Sequence, residues 1–336
     1  MTGITAAHIR ALPKAEVHVH LEGCFAPADV ARLASEAGAQ PPRPIETLFD
    51  MSGLDLSAFL EILDWMCGLV RTPEQLARAA YAFAEREAQS GIAYADLIVN
   101  PTHWAAWSDR LDSFVDALDA GFREAEADGL TPVGLCVSLL RQQSASEALD
   151  LVEWLLERRH PRVVALSIDG NEAAAGRTGP RFSDVFRRAR EHGLHRTVHA
   201  GESSGPQGVR DALAYLYAER IDHGIRAIDD PHLVAELAQK RVPLNVCPGS
   251  NVQLGLYPDR ESHPLDALRQ AGVAVSINTD DPALMSTDLV AEYMASAKAY
   301  NWDMSVVRQI ARTSINASFG DADLRHRLLS ALDATP

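Results

Sequence analysis

An α/β fold, a (β/α)8 barrel of the TIM type, is what this sequence predicts, and three observations lead there. Apolar runs rich in Val, Ile and Leu alternate along the chain with amphipathic helical stretches, the pattern of βα units and a parallel sheet. Eight such runs can be marked, enough to close a barrel. Most of them end in polar residues, and polar side chains at the C-terminal ends of barrel strands converge on one face, where barrel sites are built. A length of 336 residues suits one such domain, spanning 1–336.

The expected strands, in order, are Glu16–Glu22, Tyr94–Asn100, Pro132–Leu140, Val163–Gly170, Arg196–Glu202, Arg220–Ile225, Pro243–Pro248 and Ala274–Asp281. Helix signals stand between them. Asp230 precedes Pro231 at the head of DPHLVAELAQK, and Gly193 follows FSDVFRRAREH, where a left-handed cap suits glycine. The first two strands are separated by about seventy residues, more than one crossover helix needs, which predicts extra helices after the first strand. Within them PPRPIETLF (41–49) and FLEILDWMCGLV (59–70) fit equally a cover over the barrel mouth and extra packing outside it.

Composition narrows the class. With 47% hydrophobic and 23% charged residues the chain is ordinarily globular, and no segment approaches the ~18 apolar residues of a membrane span. The N-terminus lacks the basic and apolar regions of a secretion signal, and Cys24, Cys67, Cys136 and Cys247 form no CxxC and read as reduced thiols. These features predict a cytoplasmic protein without a membrane partner. A net charge of −15 opposes a nucleic-acid partner, whose phosphates need clustered Lys and Arg. A small-molecule ligand is the expectation.

The strand ends carry the chemistry. His18 and His20 in H-V-H fall on the same side of a strand, close enough to share a metal ion. His199 ends the fifth strand in TVHAGE, His223 the sixth in RIDHG, and Asp280 the eighth in SINTDDP. Imidazole and carboxylate suit zinc, and three nitrogens plus one oxygen with an open position describe a hydrolytic site. Taken singly, each reads equally well as a buried, hydrogen-bonded polar group; five in strand-end order point to a metal. His8, His160, His192, His195, His232, His263 and His326 fall in expected helices or loops and read as exposed or capping, whereas His103, just past the second strand, is within reach of the mouth.

Together PKAEVHVHLEG, TVHAGE, RIDHGI, NVCPGSN and SINTDDP resemble the adenosine deaminase family of the amidohydrolase superfamily, over roughly residues 10–320. Residues 24–90 add little to the likeness. The resemblance implies a metal-dependent hydrolase barrel with one Zn2+ held by His18, His20, His199 and Asp280, the ion lowering the pKa of a water molecule toward neutrality. It implies that His223 orients or deprotonates that water, and that Glu202 protonates the ring nitrogen beside the attacked carbon. Asp281 and the backbone N–H of Gly170 would bind further ring nitrogens of a small-molecule purine substrate, with His20 and Glu22 also bordering it. Cys247 reads as packing, and Gly249–Ser250–Asn251 as a turn shaping the pocket floor. The His/Cys/Cys signature of the other zinc deaminases is absent.

Three departures bear on the substrate. Glu22 stands where the family usually carries Asp, SIDGNE replaces DLAGDE and adds Asp169, and Leu97 stands where a charged residue is common. The resulting expectation is hydrolytic deamination of a 6-aminopurine nucleoside, adenosine or a 5′-modified adenosine such as aminodeoxyfutalosine, with Glu22 accepting a hydrogen bond from a sugar hydroxyl. The alternatives are adenine or another aminated heterocycle, with Glu22 only holding the metal loop, and a catalytically inactive ligand-binding barrel. The complete set of metal-binding and proton-transfer residues argues against the last.

Overall fold

The computed structural model describes residues 3–51 and 56–335. Eight parallel strands lie side by side in chain order: β1 (Ala15–His20), β2 (Tyr94–Val99), β3 (Val133–Leu140), β4 (Val163–Asp169), β5 (His195–Ala200), β6 (Arg220–His223), β7 (Leu244–Val246) and β8 (Val275–Ile277). Each falls where the apolar runs predict it. All but β3 stop short of the expected ends because the last residues have left the ladder; Glu22, for instance, sits in a 3-10 turn, Leu21–Gly23.

Between β8 and β1 the barrel is closed by an isolated bridge at Val19 and Asp280. There the His20 amide donates to the Asp280 carbonyl (2.7 Å) and the Asp280 amide to the His18 carbonyl (3.2 Å). Lower down, the Asn278 side chain substitutes for a missing backbone partner by accepting from the Val17 amide at 2.9 Å.

Strand alternation sorts the barrel into two chemistries. Leu97, Val99, Leu135, Val137, Leu166, Val198, Ile221, Val246 and Ile277 belong to the main hydrophobic core. Leu97 therefore bears on packing against the helices, and its departure from the family pattern says little about substrate. Most of the intervening residues are polar and buried and bond to one another, around a small apolar cluster of Ile98, Cys136 and Ala165. Asp222 accepts from Thr197 Oγ1 (2.6 Å) and Asn245 Nδ2 (2.8 Å), Ser276 Oγ donates to Asn245 Oδ1 (3.0 Å), and Asn278 Nδ2 donates to Ser276 Oγ (3.1 Å). Such a network stabilises only when every member finds a partner. At the base, Arg220 pairs with Asp96 at 2.5 Å, donates to the Ala317 carbonyl at 2.8 Å and lies 3.9 Å from the Phe319 ring centroid.

The long crossover from β1 to β2 contains helices Pro27–Ala37, Ile45–Leu48, Leu56–Cys67 and Pro73–Gln89, the extra helices its length predicts. Asp230 caps the helix Pro231–Lys240 by accepting from the His232 and Leu233 amides, and Gly193 takes a left-handed conformation (φ 83°) after Gly179–Glu191. All four cysteines are free and buried. No helix among the described residues is long and apolar enough to cross a membrane.

The Arg220–Asp96 pair gives the first prediction. Asp96→Ala leaves a buried guanidinium without its carboxylate and is expected to cost about 3–5 kcal/mol in urea denaturation. A loss below about 1 kcal/mol would show that the pair does not hold the barrel base.

Candidate active site

The C-terminal ends of β1, β5, β6 and β8 bring His18, His20, His199, His223 and Asp280 together. His18 Nε2 lies 3.2 Å from Asp280 Oδ1, His20 Nε2 3.5 Å from the same oxygen, and His20 Nε2 only 3.0 Å from His199 Nε2. His223 Nε2 is 3.9 Å from Asp280 Oδ2. The donor atoms of His18, His199, His223 and Asp280 all lie within 4.8 Å of one another. His223 thus belongs to this group of four, together with three of the four residues the resemblance names as ligands, while His20 lies beside it against His199 and Asp280.

Neighbouring groups aim these side chains. The Asn245 carbonyl lies 3.0 Å from His18 Nδ1, which places the proton on that nitrogen and turns the Nε2 lone pair inward. His18 Nε2 is buried without a hydrogen-bond partner. Ser250 Oγ donates to Asp280 Oδ2 at 2.7 Å, and Asp222 Oδ2 stands 3.5 Å from His199 Nδ1. Two residues of the cluster have left-handed backbones uncommon outside glycine, His223 (φ 65°) and Asp280 (φ 67°). Strain of this kind costs about 1–3 kcal/mol per residue and collects at functional sites.

Electrostatics match the donor set to a cation. Burial, followed by the charge of His18, holds His199 well below its usual pKa, and the same two causes push His223 down to about 3. Burial opposes the charge on His18, but Asp222 and Asp280 outweigh it and lift this imidazole to about 9. Asp222 and Asp280 thus favour a positive charge at His18, and the converging imidazole nitrogens and carboxylate oxygens are the donor set of a divalent metal ion, which would take the place of the His18 proton.

A cavity opens beside the cluster, lined by His20, Glu22, His103, Asp169, Gly170, Glu202 and Asp281. Glu202 Oε1 accepts from Asn251 Nδ2 at 3.3 Å and lies 3.6 Å from His223 Nε2. Burial first, then Asp280 and Glu172, raise its carboxyl to about 8, which favours its protonated form. Burial, then Asp280 and Glu22, also push Asp281 well upward. Glu22 Oε1 accepts from the Asn100 amide (2.7 Å) and Trp104 Nε1 (2.8 Å), while its Oε2 and the Oδ2 of Asp169 are buried without partners. Gly170 (φ 93°) has a wall behind it as well as a ligand space before it, since a Cβ there would fall 2.9 Å from Gln142 Oε1 and Leu140 Cδ1.

The segment 59–70 does supply a roof: Phe59, Leu60 and Leu63 line the cavity with Leu254. No described side chain of PPRPIETLF is among the lining residues. His103 is part of the wall, and its Nδ1 lies 2.5 Å from Asp64 Oδ1 on the roof helix, a pairing between segments that no local pattern signals.

Several sequence expectations need correction. Gly249–Ser250–Asn251 belongs to a short helix, Pro248–Gln253, because Pro248 fixes the backbone of its first turn. His263 is buried and binds Asn251 Oδ1 at 3.1 Å, which makes it a support for the Asn251 contact to Glu202. His160 is buried too, and His195 begins β5 and stacks flat on Phe319.

A parallel eight-stranded barrel with a His/Asp cluster on its C-terminal rim defines a metal-dependent hydrolase of the amidohydrolase type. The adenosine deaminase family profile matches residues 13–335; the chain belongs to that family and is a hydrolytic aminohydrolase. An adenine deaminase of Sinorhizobium medicae is 36% identical over 323 residues, covering 96% of this chain and 98% of its own. An aminodeoxyfutalosine deaminase of Streptomyces coelicolor is 34% identical over 331 residues, 97% and 85% of the two chains. Among solved structures, an amidohydrolase from Burkholderia ambifaria with bound zinc superposes with a TM-score of 0.90 at 27% identity, over 98% of this chain and 93% of that one.

The Asp280 side chain serves the cluster while its backbone closes the barrel. Asp280→Ala is therefore expected to strip most of the metal found by elemental analysis and to leave the far-ultraviolet circular dichroism unchanged. Full metal content in this variant would remove Asp280 from the ligand set.

Proposed function

We propose that this enzyme hydrolyses the 6-amino group of adenine, giving the 6-oxo purine and ammonia, at one zinc ion held by His18, His20, His199 and Asp280. The observation that carries the choice of the free base is the buried, partnerless Oε2 of Glu22 in a cavity roofed by Phe59, Leu60, Leu63 and Leu254. Adenine has an N9–H that can donate to such an oxygen; a nucleoside carries its sugar there. An apolar roof offers ribose hydroxyls no partners, and a buried unpaired hydroxyl costs about 1–3 kcal/mol. The adenine deaminase relative supports the same choice. The expected nucleoside substrate thus gives way to the base.

When bound, the ion supplies a Lewis acid beside the attacking water, and the zinc-bound structural relative supports its identity. His223 orients that water toward carbon 6 and takes the proton it gives up as the carbon–oxygen bond forms. The protonated Glu202 carboxyl donates to N1, so that electron density displaced by the attack comes to rest on a neutral nitrogen. Asp281, protonated through burial among like charges, donates to N7. The Gly170 amide then faces N3, the remaining acceptor of the ring. As the carbon–oxygen double bond forms, the proton of the new hydroxyl passes to the amine, the carbon–nitrogen bond breaks and ammonia leaves, while the proton held by His223 returns to Glu202, whose Oε1 lies 3.6 Å from His223 Nε2.

A 5′-modified adenosine is the second reading, favoured by the Streptomyces relative, whose substrate bears such a group. Ammonia release across adenine, adenosine and a 5′-thioether of adenosine separates the two. Adenine is expected to give the highest kcat/KM, by at least about tenfold; a nucleoside in first place would overturn the base assignment. Glu202→Gln retains shape without the proton and should lower kcat by about 10²–10⁴ with metal content unchanged. Turnover near wild type would remove Glu202 from proton transfer.

A further inference from the structure

Glu172 takes no part in the steps above, yet it makes an unusual set of contacts. It opens the short helix Glu172–Ala175 after β4 and is buried. Its Oε1 accepts from the Gly201 amide (3.0 Å) and Ser204 Oγ (2.8 Å), and its Oε2 from the amides of Glu202 (2.9 Å) and Ser203 (3.2 Å). One carboxylate therefore takes three successive backbone N–H groups and a hydroxyl. These amides need it, because β5 ends at Ala200 and the next helix begins only at Pro206, so neither ladder nor helix supplies them an acceptor.

The space for this carboxylate is built in. A Cβ on Gly208 would come within 2.7 Å of Glu172 Oε1 and 2.6 Å of Ser204 Oγ, so glycine at this helical position admits the clamp. Hydrogen bonds to a charged acceptor are shorter and stronger than neutral ones, and four of them on one group leave the held segment little freedom.

A single residue, Asn171, separates Glu172 from Gly170. The same short loop thus presents the Gly170 amide to the cavity and grips the main chain of Glu202. On a purine the two atoms these groups address, N3 and N1, are separated by a single carbon, so both contacts form only if the two loops keep a fixed spacing. We propose that Glu172 is a positioning residue that fixes the Glu202 carboxyl relative to the Gly170 amide, setting the proton donor and the ring-binding group in register on one purine. This rests on the roles proposed above for Glu202 and Gly170.

A double-mutant cycle on the metal-replete enzyme tests it, with adenine as substrate. Glu172→Gln puts an amide NH2 against backbone donors and is expected to lower kcat by about 10- to 100-fold, the scale of a misplacement near 1 Å. KM should stay within about threefold and metal content should not change. In the Glu202→Gln background the same change should cost less than about threefold, because the group it positions no longer transfers a proton. Gly208→Ala leaves the carboxylate in place but crowds it, and Ala is the better helix former, so this second variant reads the same effect if Glu172→Gln does not fold. It too should lose kcat only while Glu202 is intact.

An undiminished loss in the Glu202→Gln background, a loss carried by KM, or an unchanged kcat in both variants would overturn the proposal. If adenine is not turned over and a nucleoside is, the substrate assignment fails by itself, and the cycle is read on the nucleoside with the same criteria. An inert Glu202→Gln change overturns both the acid role and the positioning that depends on it.

Discussion

The active centre depends on how the barrel closes. Between β8 and β1 there is one bridge, and its two hydrogen bonds run from the backbone of Asp280 to those of His18 and His20. The bonds that close the sheet therefore also fix the spacing of three of the five side chains in the cluster. Asp280 reaches this position with a left-handed backbone, a conformation that a residue other than glycine keeps only when its surroundings hold it there. Its side chain is held as well, by Ser250 on the helix after β7. Closure and chemistry share one residue, which joins the first strand to the last.

Below the rim the barrel interior is a polar column. From Arg220 and Asp96 at the base, through Thr197, Asp222, Asn245, Ser276 and Asn278, nearly every inward polar atom has a partner within the barrel. The column ends at the cluster, where Asp222 and the Asn245 carbonyl face His199 and His18. Order in the column thus orients the imidazoles above it. At the rim the balance changes: His18 Nε2, Glu22 Oε2, Asp169 Oδ2 and Asp281 Oδ1 are buried without partners. Unpaired polar atoms of this kind are costly, and their concentration around one cavity marks where a cation and a polar ligand restore the balance.

Most of this was legible in the sequence, for a definite reason. A barrel strand repeats every two residues, so H-V-H, T-V-H, I-D-H and the polar end of S-I-N-T-D-D announce both the strand and the face its side chains take. The eight strands and the meeting of His18, His20, His199, His223 and Asp280 follow from that period. Contacts between distant segments carry no such period. The apolar stripe of Leu56–Cys67 reads the same whether it packs outside the barrel or over its mouth, and only the fold sets Phe59 and Leu63 above the cavity. His263 looked like a loop histidine because its partner, Asn251, lies across a short helix and a turn. Glu172 gave no signal beyond its place in SIDGNE, since its partners are backbone amides thirty residues away and amides leave no mark in a sequence.

If closure at Asp280 builds the metal centre, the position of the ion follows from the fold. Diffraction from crystals of the metal-replete enzyme, recorded on both sides of the zinc absorption edge, tests this directly. The account predicts one anomalous peak per chain, in contact with His18, His20, His199 and Asp280. No peak at the β8–β1 junction, or one held by other side chains, would contradict it.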